Sequence, residues 1–182
     1  KYDITAAGRA IEEFVISDFS QWYLRRSRRR LQHPASKKEF DTVAPVTAFV
    51  LLRLCVLSAP FVPFLSEAVY QELKKKTKLK EDSVHLRVWP VVKKIGATET
   101  DLITRMSLVR QVASEALKLR AEAKIKVRQP LQSISCPWRK FQVEYMGTLS
   151  TSQQLEIETI LQEELNVKEV KDAEIITLDT EI

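Results

Sequence analysis

The stretch ISDFSQWYLRRSRRRL, residues 16–31, joins an aromatic helix pattern to five arginines within six positions. At about 100° per residue, apolar side chains fill one stripe roughly 140° wide, which is typical of a helix packed on a helical bundle. The stripe contains Ile11, Phe14, Val15, Phe19 and Trp22. The pattern predicts a helix over residues 6–31 that is capped by Asp3 or Thr5 and ends at His33 and Pro34.

The five arginines concentrate positive charge at the end of this helix. Arg25, Arg26 and Arg29 continue the apolar stripe, whereas Arg28 and Arg30 point away from its centre. The like charges of such a cluster repel one another unless an anion lies close, so the cluster is typical of a surface that binds a polyanion. A plainer interpretation stays open, because cations at a helix C-terminus oppose the macrodipole at about 0.3–1 kcal/mol each and then form a solvated or internally paired face.

Charge is distributed unevenly along the 182 residues, although the net charge is only +5. Residues 1–150 contain 27 basic and 15 acidic residues, a balance of +12, whereas residues 151–182 contain 2 basic and 9 acidic residues, a balance of −7. A phosphate-rich ligand is therefore expected to bind the first segment. The hydrophobic content of 45% is enough for a folded core in one domain with a small appendage.

Several function classes have no support in the sequence. No uninterrupted apolar run reaches the roughly 18 residues of a membrane span, and no secretion signal is evident. Cys55 and Cys136 are expected to be buried thiols of a cytosolic protein, and no Asp, Glu or His cluster has metal-ligand spacing. Three scattered glycines exclude a Gly-rich phosphate loop, and His33 and His85 form no catalytic set. The chain should therefore bind or position rather than catalyse.

The next helix pattern, over about residues 38–58, is apolar nearly all round and is expected at the centre of the bundle. Arg53 interrupts it, and a buried guanidinium needs a partner, so we expect an ion pair with Asp18 of the first helix. Pro63 then starts a third helix that runs to about Lys75. Its expected buried side comprises Phe64, Leu65, Ala68, Val69 and Leu73.

SVHLRVWP, residues 83–90, predicts an extended segment anchored by Trp89. A long helix follows, capped by Thr98 or Thr100, and its apolar positions recur at intervals of three and four so that it closes the bundle. These positions are Leu102, Met106, Val109, Val112, Ala113, Ala116 and Leu117.

At Ile125 the pattern of apolar residues changes from a helical period to alternation. Ile125 and Val127 then face one way, and Lys124, Lys126 and Arg128 face the opposite way. Beyond it, LQSISCPW and residues 141–146 predict strands, residues 152–165 predict a helix, and VKEV and EIITL predict two short strands. The apolar side of that helix comprises Leu155, Ile157, Ile160, Leu161 and Leu165. The predicted fold is mainly α: a helical bundle over residues 1–124, followed by a small α/β domain over residues 125–182.

Five motifs together resemble the C-terminal region of isoleucyl-tRNA synthetases, and they occur in the order of that family over most of the chain. They are WYLRRSRRRL (22–31), APFVPFLSEAVYQEL (59–73), SVHLRVWP (83–90), LRAEAKIKVRQPL (119–131) and ELNVKEV (164–170). The valyl and leucyl relatives share the bundle and the proline corner, but RRSRRR combined with KIKVRQPL resembles the isoleucyl enzymes best.

The resemblance implies a class I synthetase anticodon-binding bundle followed by a small α/β domain of the C-terminal extension. The family's His-x-Gly-His turn and Lys-Met-Ser-Lys-Ser loop are missing from the chain, so the resemblance implies that catalysis, with its ATP and Mg²⁺, belongs to a domain upstream of residue 1. The family's cysteine-rich zinc module is also missing, which implies zinc only outside this chain. The resemblance further implies that the parent protein has isoleucine–tRNA ligase activity and that its partner is tRNA(Ile). It also implies a monomer, no membrane and a cytoplasmic location.

The site residues implied by the resemblance are cations. They are Arg25, Arg26, Arg28, Arg29 and Arg30 toward the anticodon stem–loop, and Lys124, Lys126 and Arg128 as a second basic ridge. Two other interpretations stay open. One is a helical protein-interaction module that docks through its acidic tail, and the other is a general RNA-binding bundle without preference for one tRNA.

Overall fold

The computed structural model describes residues 3–92, 94–136, 149–173 and 177–179. Contacts divide the chain into two compact units, Lys1–Val92 and Lys93–Ile182. The first unit is helical, and the second combines helices with a small sheet, so the predicted mainly α fold with an α/β appendage is confirmed. The predicted strand over residues 141–146 lies outside the described residues. The predicted domain boundary after residue 124 stays a prediction.

A continuous helix opens the first unit, as predicted. It comprises α1 (Ile4–Glu13), a π-helical segment (Phe14–Leu24) and α2 (Arg25–Gln32). The Asp3 carboxylate accepts a hydrogen bond of 2.9 Å from the Ala6 amide, which confirms Asp3 as the N-cap. The helix ends at His33, directly before Pro34. The π-helical segment was not predicted.

The second helix, α3 (Lys37–Ser58), is capped by Ser36 and runs through Pro45. Its prediction as the bundle centre is wrong, because only Val43, Cys55 and Val56 are buried in it. The helix packs against α1, α2 and the next helix along one side, so much of its apolar surface stays exposed.

Arg53 of α3 is exposed, and its guanidinium carbon lies 5.1 Å from the centre of the Phe49 ring. This cation–π contact leaves the charge in solvent, so the guanidinium does not need a carboxylate. The predicted buried ion pair with Asp18 is therefore wrong.

By length and composition alone, α3 is long and apolar enough to cross a membrane. The criterion of an uninterrupted apolar run did not detect it, because Arg53 interrupts the run. Only 17% of its most apolar window is buried. An apolar helix of a soluble bundle meets the same criterion, so this property by itself does not identify a membrane span.

The helix α4 (Pro63–Lys76) begins at Pro63, as predicted. Its predicted buried side is wrong for Phe64, which is 91% exposed, and for Leu65 and Ala68, which are also exposed. Tyr70 is instead fully buried. The covered face of α4 is set by the chain segment that follows the helix.

That segment contains a short 3₁₀ turn, Val84–Leu86, rather than a purely extended chain. Val84 is buried among the core residues around Tyr70, whereas Trp89 is 56% exposed. The prediction of Trp89 as the anchor is therefore wrong, and Val84 fills that role.

Four side chains at helical spacing on α4 hold this segment in place. Tyr70 donates to the Glu81 carbonyl at 2.9 Å, Gln71 donates to the Asp82 carbonyl, and Lys74 pairs with the Asp82 carboxylate at 2.6 Å. The carboxylate of the fourth, Glu67, accepts from the Val84 amide and the Ser83 hydroxyl, each at 2.9 Å, and from Gln71 at 2.7 Å. The side chains of α4 thus form hydrogen bonds with backbone amide and carbonyl groups of a loop that is not part of a β-sheet.

The second unit begins with α5 (Ala97–Glu122), whose N-cap is Gly96 without a capping side chain. The predicted cap by Thr98 or Thr100 is wrong, because the Thr100 hydroxyl donates backward to the Gly96 carbonyl at 2.9 Å. The predicted apolar positions are partly confirmed. Val109, Val112, Ala113 and Ala116 are buried, whereas Leu102 is exposed.

A three-stranded sheet and one helix complete this unit. They are β1 (Leu131–Cys136), α6 (Thr151–Leu165), β2 (Val167–Asp172) and β3 (Thr177–Asp179). The strand order is β2-β1-β3, with β1 parallel to β2 and antiparallel to β3. The first strand, the helix and the VKEV strand were predicted. Of the predicted apolar side of α6, Ile157, Leu161 and Leu165 are buried, whereas Leu155 is exposed.

The end of α5 forms a Schellman motif. The Ile125 amide donates to the Arg120 carbonyl at 2.8 Å, and the Lys124 amide donates to the Ala121 carbonyl at 3.0 Å. Lys124 occupies the left-handed region with φ 58°. The predicted strand-like alternation from Ile125 is therefore wrong, because residues 123–130 form turns and β1 starts at Leu131.

We predict that Glu67→Gln destabilises the protein near neutral pH more than in acid. The hydrogen bonds to Gln71, Val84 and Ser83 lower the pKa of Glu67 below its ordinary value of 4.5. A depressed folded-state pKa gives stability that is present above the unfolded pKa and lost as pH falls through the folded pKa. The stability difference between Glu67→Gln and the parent in urea unfolding should thus shrink below about pH 4.5. A difference that stays constant into acid would contradict this role.

We predict that Lys124→Gly stabilises the protein by about 1 kcal/mol. A non-glycine residue in the left-handed region carries a steric cost that glycine avoids. Urea unfolding measures the change, and Lys126→Gly on the same loop is the matched control, since Lys126 has no positive φ and should not gain stability. A loss of stability in Lys124→Gly equal to that of the control would contradict the prediction.

Candidate nucleic-acid interface

The π-helical segment decides which side of the first helix is buried. Its i→i+5 hydrogen bonds align residues four and five positions apart. Phe14 stacks on Phe19 with ring centres 6.4 Å apart, and Phe19 stacks on Tyr23 at 5.9 Å. Phe19 is 5% exposed, and the Tyr23 hydroxyl donates to the Val43 carbonyl of α3 at 3.4 Å. The line of stacked rings therefore passes through Tyr23, while Trp22, which was predicted on the apolar stripe, is half-buried like Tyr23.

The same line continues into the arginine stretch through Ser27, which is 1% exposed. With Ser27 facing inward, Arg25, Arg28 and Arg29 are exposed, while Arg26 and Arg30 are half-buried. The predicted outward direction is thus confirmed for Arg28, whereas Arg30 is half-buried. The predicted continuation of the apolar stripe is wrong for Arg25 and Arg29, which are exposed, because the π-helical segment changes the phase of the residues that follow it.

The partly buried arginines rest on the helix itself. The Arg30 guanidinium donates to the Ser27 hydroxyl at 3.2 Å, and the Arg26 guanidinium carbon lies 5.5 Å from the centre of the Trp22 ring. Arg25 donates from Nε to the Gln21 carbonyl at 2.8 Å.

Arg29 is held differently, by an ion pair with Glu39 in the first turn of α3. The other oxygen of Glu39 accepts from the Ala35 amide at 2.6 Å, so one carboxylate joins α2 to the loop before α3. The charge of Arg29 is therefore partly neutralised. Arg28 is exposed, and no hydrogen bond or ion pair of its side chain occurs within the described residues.

The second group of predicted site residues lies in the other unit. Lys124, Lys126 and Arg128 are all exposed on the turns that follow α5. They are brought together by turns rather than by the alternating segment that was predicted. No ion pair of these three side chains occurs among the residues that the structure describes.

Sequence reasoning missed Arg120, which is fully buried directly before this loop. Its position was detectable, because the buried residues Val109, Ala113 and Ala116 recur at intervals of four and three, and the next step of four reaches Arg120. Arg105, one turn before Val109, is buried in the same line and pairs with Asp101.

The chemistry available to these groups is binding. Within the described residues, no three His, Cys, Asp or Glu side chains are close enough to hold a metal ion. Cys55 and Cys136 are buried, as predicted, and burial raises the pKa of Cys55, which disfavours a nucleophilic thiolate. Exposed guanidinium and ammonium groups instead match the phosphates of a nucleic acid.

Comparison with known proteins agrees with this chemistry. Residues 1–135 match the family described as the anticodon-binding domain of tRNA ligase. The chain is 34% identical over 173 residues to isoleucine–tRNA ligase of Thermus thermophilus, a match that covers 93% of the chain and 16% of the relative. It is 38% identical over 170 residues to isoleucine–tRNA ligase of Deinococcus radiodurans, covering 93% of the chain and 14% of the relative.

A third relative, isoleucine–tRNA ligase of Chlamydia muridarum, is 36% identical over 172 residues, covering 93% of the chain and 15% of the relative. The chain thus spans about a sixth of the length of the curated relatives that it matches. Since the family match covers most of the chain and includes the arginine stretch of the first helix, the chain belongs to the anticodon-binding domain family of tRNA ligases.

Proposed function

We propose that the chain is the tRNA-binding region of an isoleucine–tRNA ligase and holds the anticodon stem–loop of tRNA(Ile). The observation that carries this proposal is the cluster of guanidinium groups in α2, of which Arg25 and Arg28 are exposed. A chain of the anticodon-binding family that is 34–38% identical to isoleucine–tRNA ligases of three bacteria is expected to share their tRNA.

In the proposed complex, the exposed arginines of α2 grip phosphates of the stem–loop. A guanidinium presents a planar fork of donors that matches phosphate oxygens and also stacks on unpaired bases. Phosphate contacts fix the register of the RNA, while contacts with bases supply sequence specificity. Arg28 and Arg25 are suited to the first role, and Arg29 joins them when phosphate competes with Glu39.

Aminoacylation itself is proposed to take place in another part of the parent protein. Binding at the anticodon then positions the acceptor end of the tRNA, so that energy released here improves geometry at a distant reaction centre. We assign ATP and Mg²⁺ to another part of the parent protein, since the three glycines of the chain are scattered singly and suit no Gly-rich phosphate loop. Zinc is likewise proposed to bind only outside this chain.

Other properties of the parent protein follow from the same proposal. We assign it to the cytoplasm, where tRNA is charged, and we expect it to be monomeric. A helical protein-interaction module and an RNA-binding bundle without tRNA preference are the competing functions, and the two experiments below separate them.

We predict that Arg28→Glu weakens tRNA binding about tenfold or more, since a charge-assisted hydrogen bond contributes about 1.5–3 kcal/mol. The slope of log Kd against log salt should also decrease by roughly 0.7–0.9 for the lost phosphate contact. Filter binding of tRNA(Ile) at several salt concentrations measures both quantities, and the melting temperature should hardly change because Arg28 is exposed.

Lys171→Glu is the control for Arg28→Glu, because it makes the same change in charge at an exposed position of β2. It should leave affinity and slope close to those of the parent. Equal affinity of the parent and Arg28→Glu would overturn the assignment of the arginine cluster to RNA contact.

We further predict that the chain binds tRNA(Ile) at least tenfold more tightly than a tRNA with an unrelated anticodon loop, because contacts with bases discriminate where phosphate contacts do not. Competition filter binding at about 0.15 M salt measures the ratio. Equal affinity for both tRNAs would favour the general RNA-binding function, and weak binding that does not depend on salt would favour the protein-interaction module.

A further inference from the structure

Arg120 lies inside a cage of backbone carbonyl groups in the second unit. Its Nη1 donates to the Leu165 carbonyl at 3.0 Å, and its Nη2 donates to the carbonyls of Lys126 at 2.8 Å and Val127 at 3.3 Å. The Nη2 atom also donates to the Gln129 carbonyl. Three of these four acceptors belong to the loop that follows α5, so one side chain sets the path of the loop.

This cage holds a charge without neutralising it. The named acceptors are all carbonyl oxygens, which orient dipoles toward the guanidinium but carry no net charge. Burial lowers the pKa of Arg120, yet an arginine side chain stays protonated in proteins. The carbonyl groups of the loop are thereby turned inward, and the charge of Arg120 adds to the positive potential of the surface above it.

A second side chain fixes the same loop from the end of α6. Asn166 occupies the left-handed region with φ 50°, and its amide nitrogen donates to the Val127 carbonyl at 3.2 Å. The backbone of Asn166 accepts from the Leu131 amide at 3.1 Å, where β1 begins. The loop is therefore fixed at its start by the Schellman motif of α5, at its middle by Arg120 and Asn166, and at its end by the sheet.

The cage presents cations to solvent. Lys124, Lys126 and Arg128 are exposed, and their side chains form no hydrogen bond or ion pair within the described parts of the chain. Lys124 occupies a left-handed position that glycine adopts without steric cost. A lysine at this position costs stability relative to glycine, so its presence indicates a functional role for the cation.

We propose that Arg120 is a positioning residue for RNA binding, which holds the loop over residues 124–128 in a preformed shape whose cations bind phosphates of the tRNA. This inference rests on the proposed function, and it adds a second phosphate-binding surface whose affinity depends on a residue that the RNA does not touch. Preorganisation accounts for the effect, because a loop that is already ordered loses less conformational entropy when it binds.

The decisive variant is Arg120→Lys in the 182-residue chain, measured by filter binding with tRNA(Ile) over a series of salt concentrations. Lysine keeps the net charge but lacks the planar fork that reaches four carbonyls. If the cage positions the loop, two or three phosphate contacts are lost, and the salt slope decreases by roughly two at about 0.7–0.9 for each contact. An unchanged slope in a folded Arg120→Lys protein overturns the proposal.

Arg105→Lys is the matched control, because Arg105 is also buried in α5 but pairs with Asp101 rather than with the loop. It should lower the melting temperature and leave the salt slope unchanged. A decrease in slope equal to that of Arg120→Lys would show that general destabilisation is the cause, which overturns the positioning role.

Asn166→Gly decides the question if Arg120→Lys does not fold. Glycine keeps the left-handed backbone and removes only the side-chain bond to Val127. A smaller decrease in slope, by about one phosphate contact, is expected, and no decrease overturns the proposal. Circular dichroism of each variant verifies that the helices are retained.

The double variant Lys126→Gln with Arg128→Gln separates this inference from the proposed function. It should decrease the salt slope by roughly 1.5. If the double variant has no effect while Arg28→Glu weakens binding, the loop surface is wrong and tRNA binding stands. If the double variant decreases the slope and neither Arg120→Lys nor Asn166→Gly does, the surface is right and its positioning by Arg120 is wrong.

Discussion

The stack of Phe14, Phe19 and Tyr23 is the constraint on which the arginine surface depends. These rings meet because the π-helical segment aligns residues four and five positions apart, and the stack leads directly to the buried Ser27. Once Ser27 faces inward, the directions of the neighbouring arginines are fixed by the helix. The sequence RRSRRR therefore works as a unit, since its one small residue fits against the core while its cations stay outside.

Local signals in the sequence predicted local structure well. The Asp3 cap, the stop at Pro34, the start at Pro63 and the strand after Pro130 each depend on a few adjacent residues, and the structure contains all four. The faces of the helices were predicted less well, because a face depends on what packs against it. Phe64 was assigned to the buried side of its helix and Trp89 was assigned as the anchor of its segment, whereas Tyr70 and Val84 fill the core through contacts that the helical period does not encode.

The candidate site shows the same division. The positions of the cations could be read from the sequence, but the means of holding them could not. Arg30 was predicted to point outward because a uniform α-helix was assumed, and nothing in the local sequence predicts eleven residues of π-helix. Arg120 lies on a detectable apolar stripe, yet one of its acceptors, Leu165, is 45 residues away along the chain. Long-range acceptors of this kind become visible only in the folded structure.

In the described parts of the chain, one cation cluster lies in α2, one lies in the last turn of α4 and one directly follows α5, so the helix dipole alone does not decide which of them binds RNA. At each end the macrodipole offsets part of the repulsion among like charges, at about 0.3–1 kcal/mol for each cation. In the last turn of α4, however, Lys74 pairs with Asp82 at 2.6 Å and Lys75 pairs with Glu72 at 2.5 Å, so carboxylates satisfy two of its three ammonium groups. Arg28, and the cations of the loop after α5, lack such a carboxylate within the described residues. The dipole explains why cations gather at helix ends, and the carboxylates beside Lys74 and Lys75 lower the net positive charge at the end of α4.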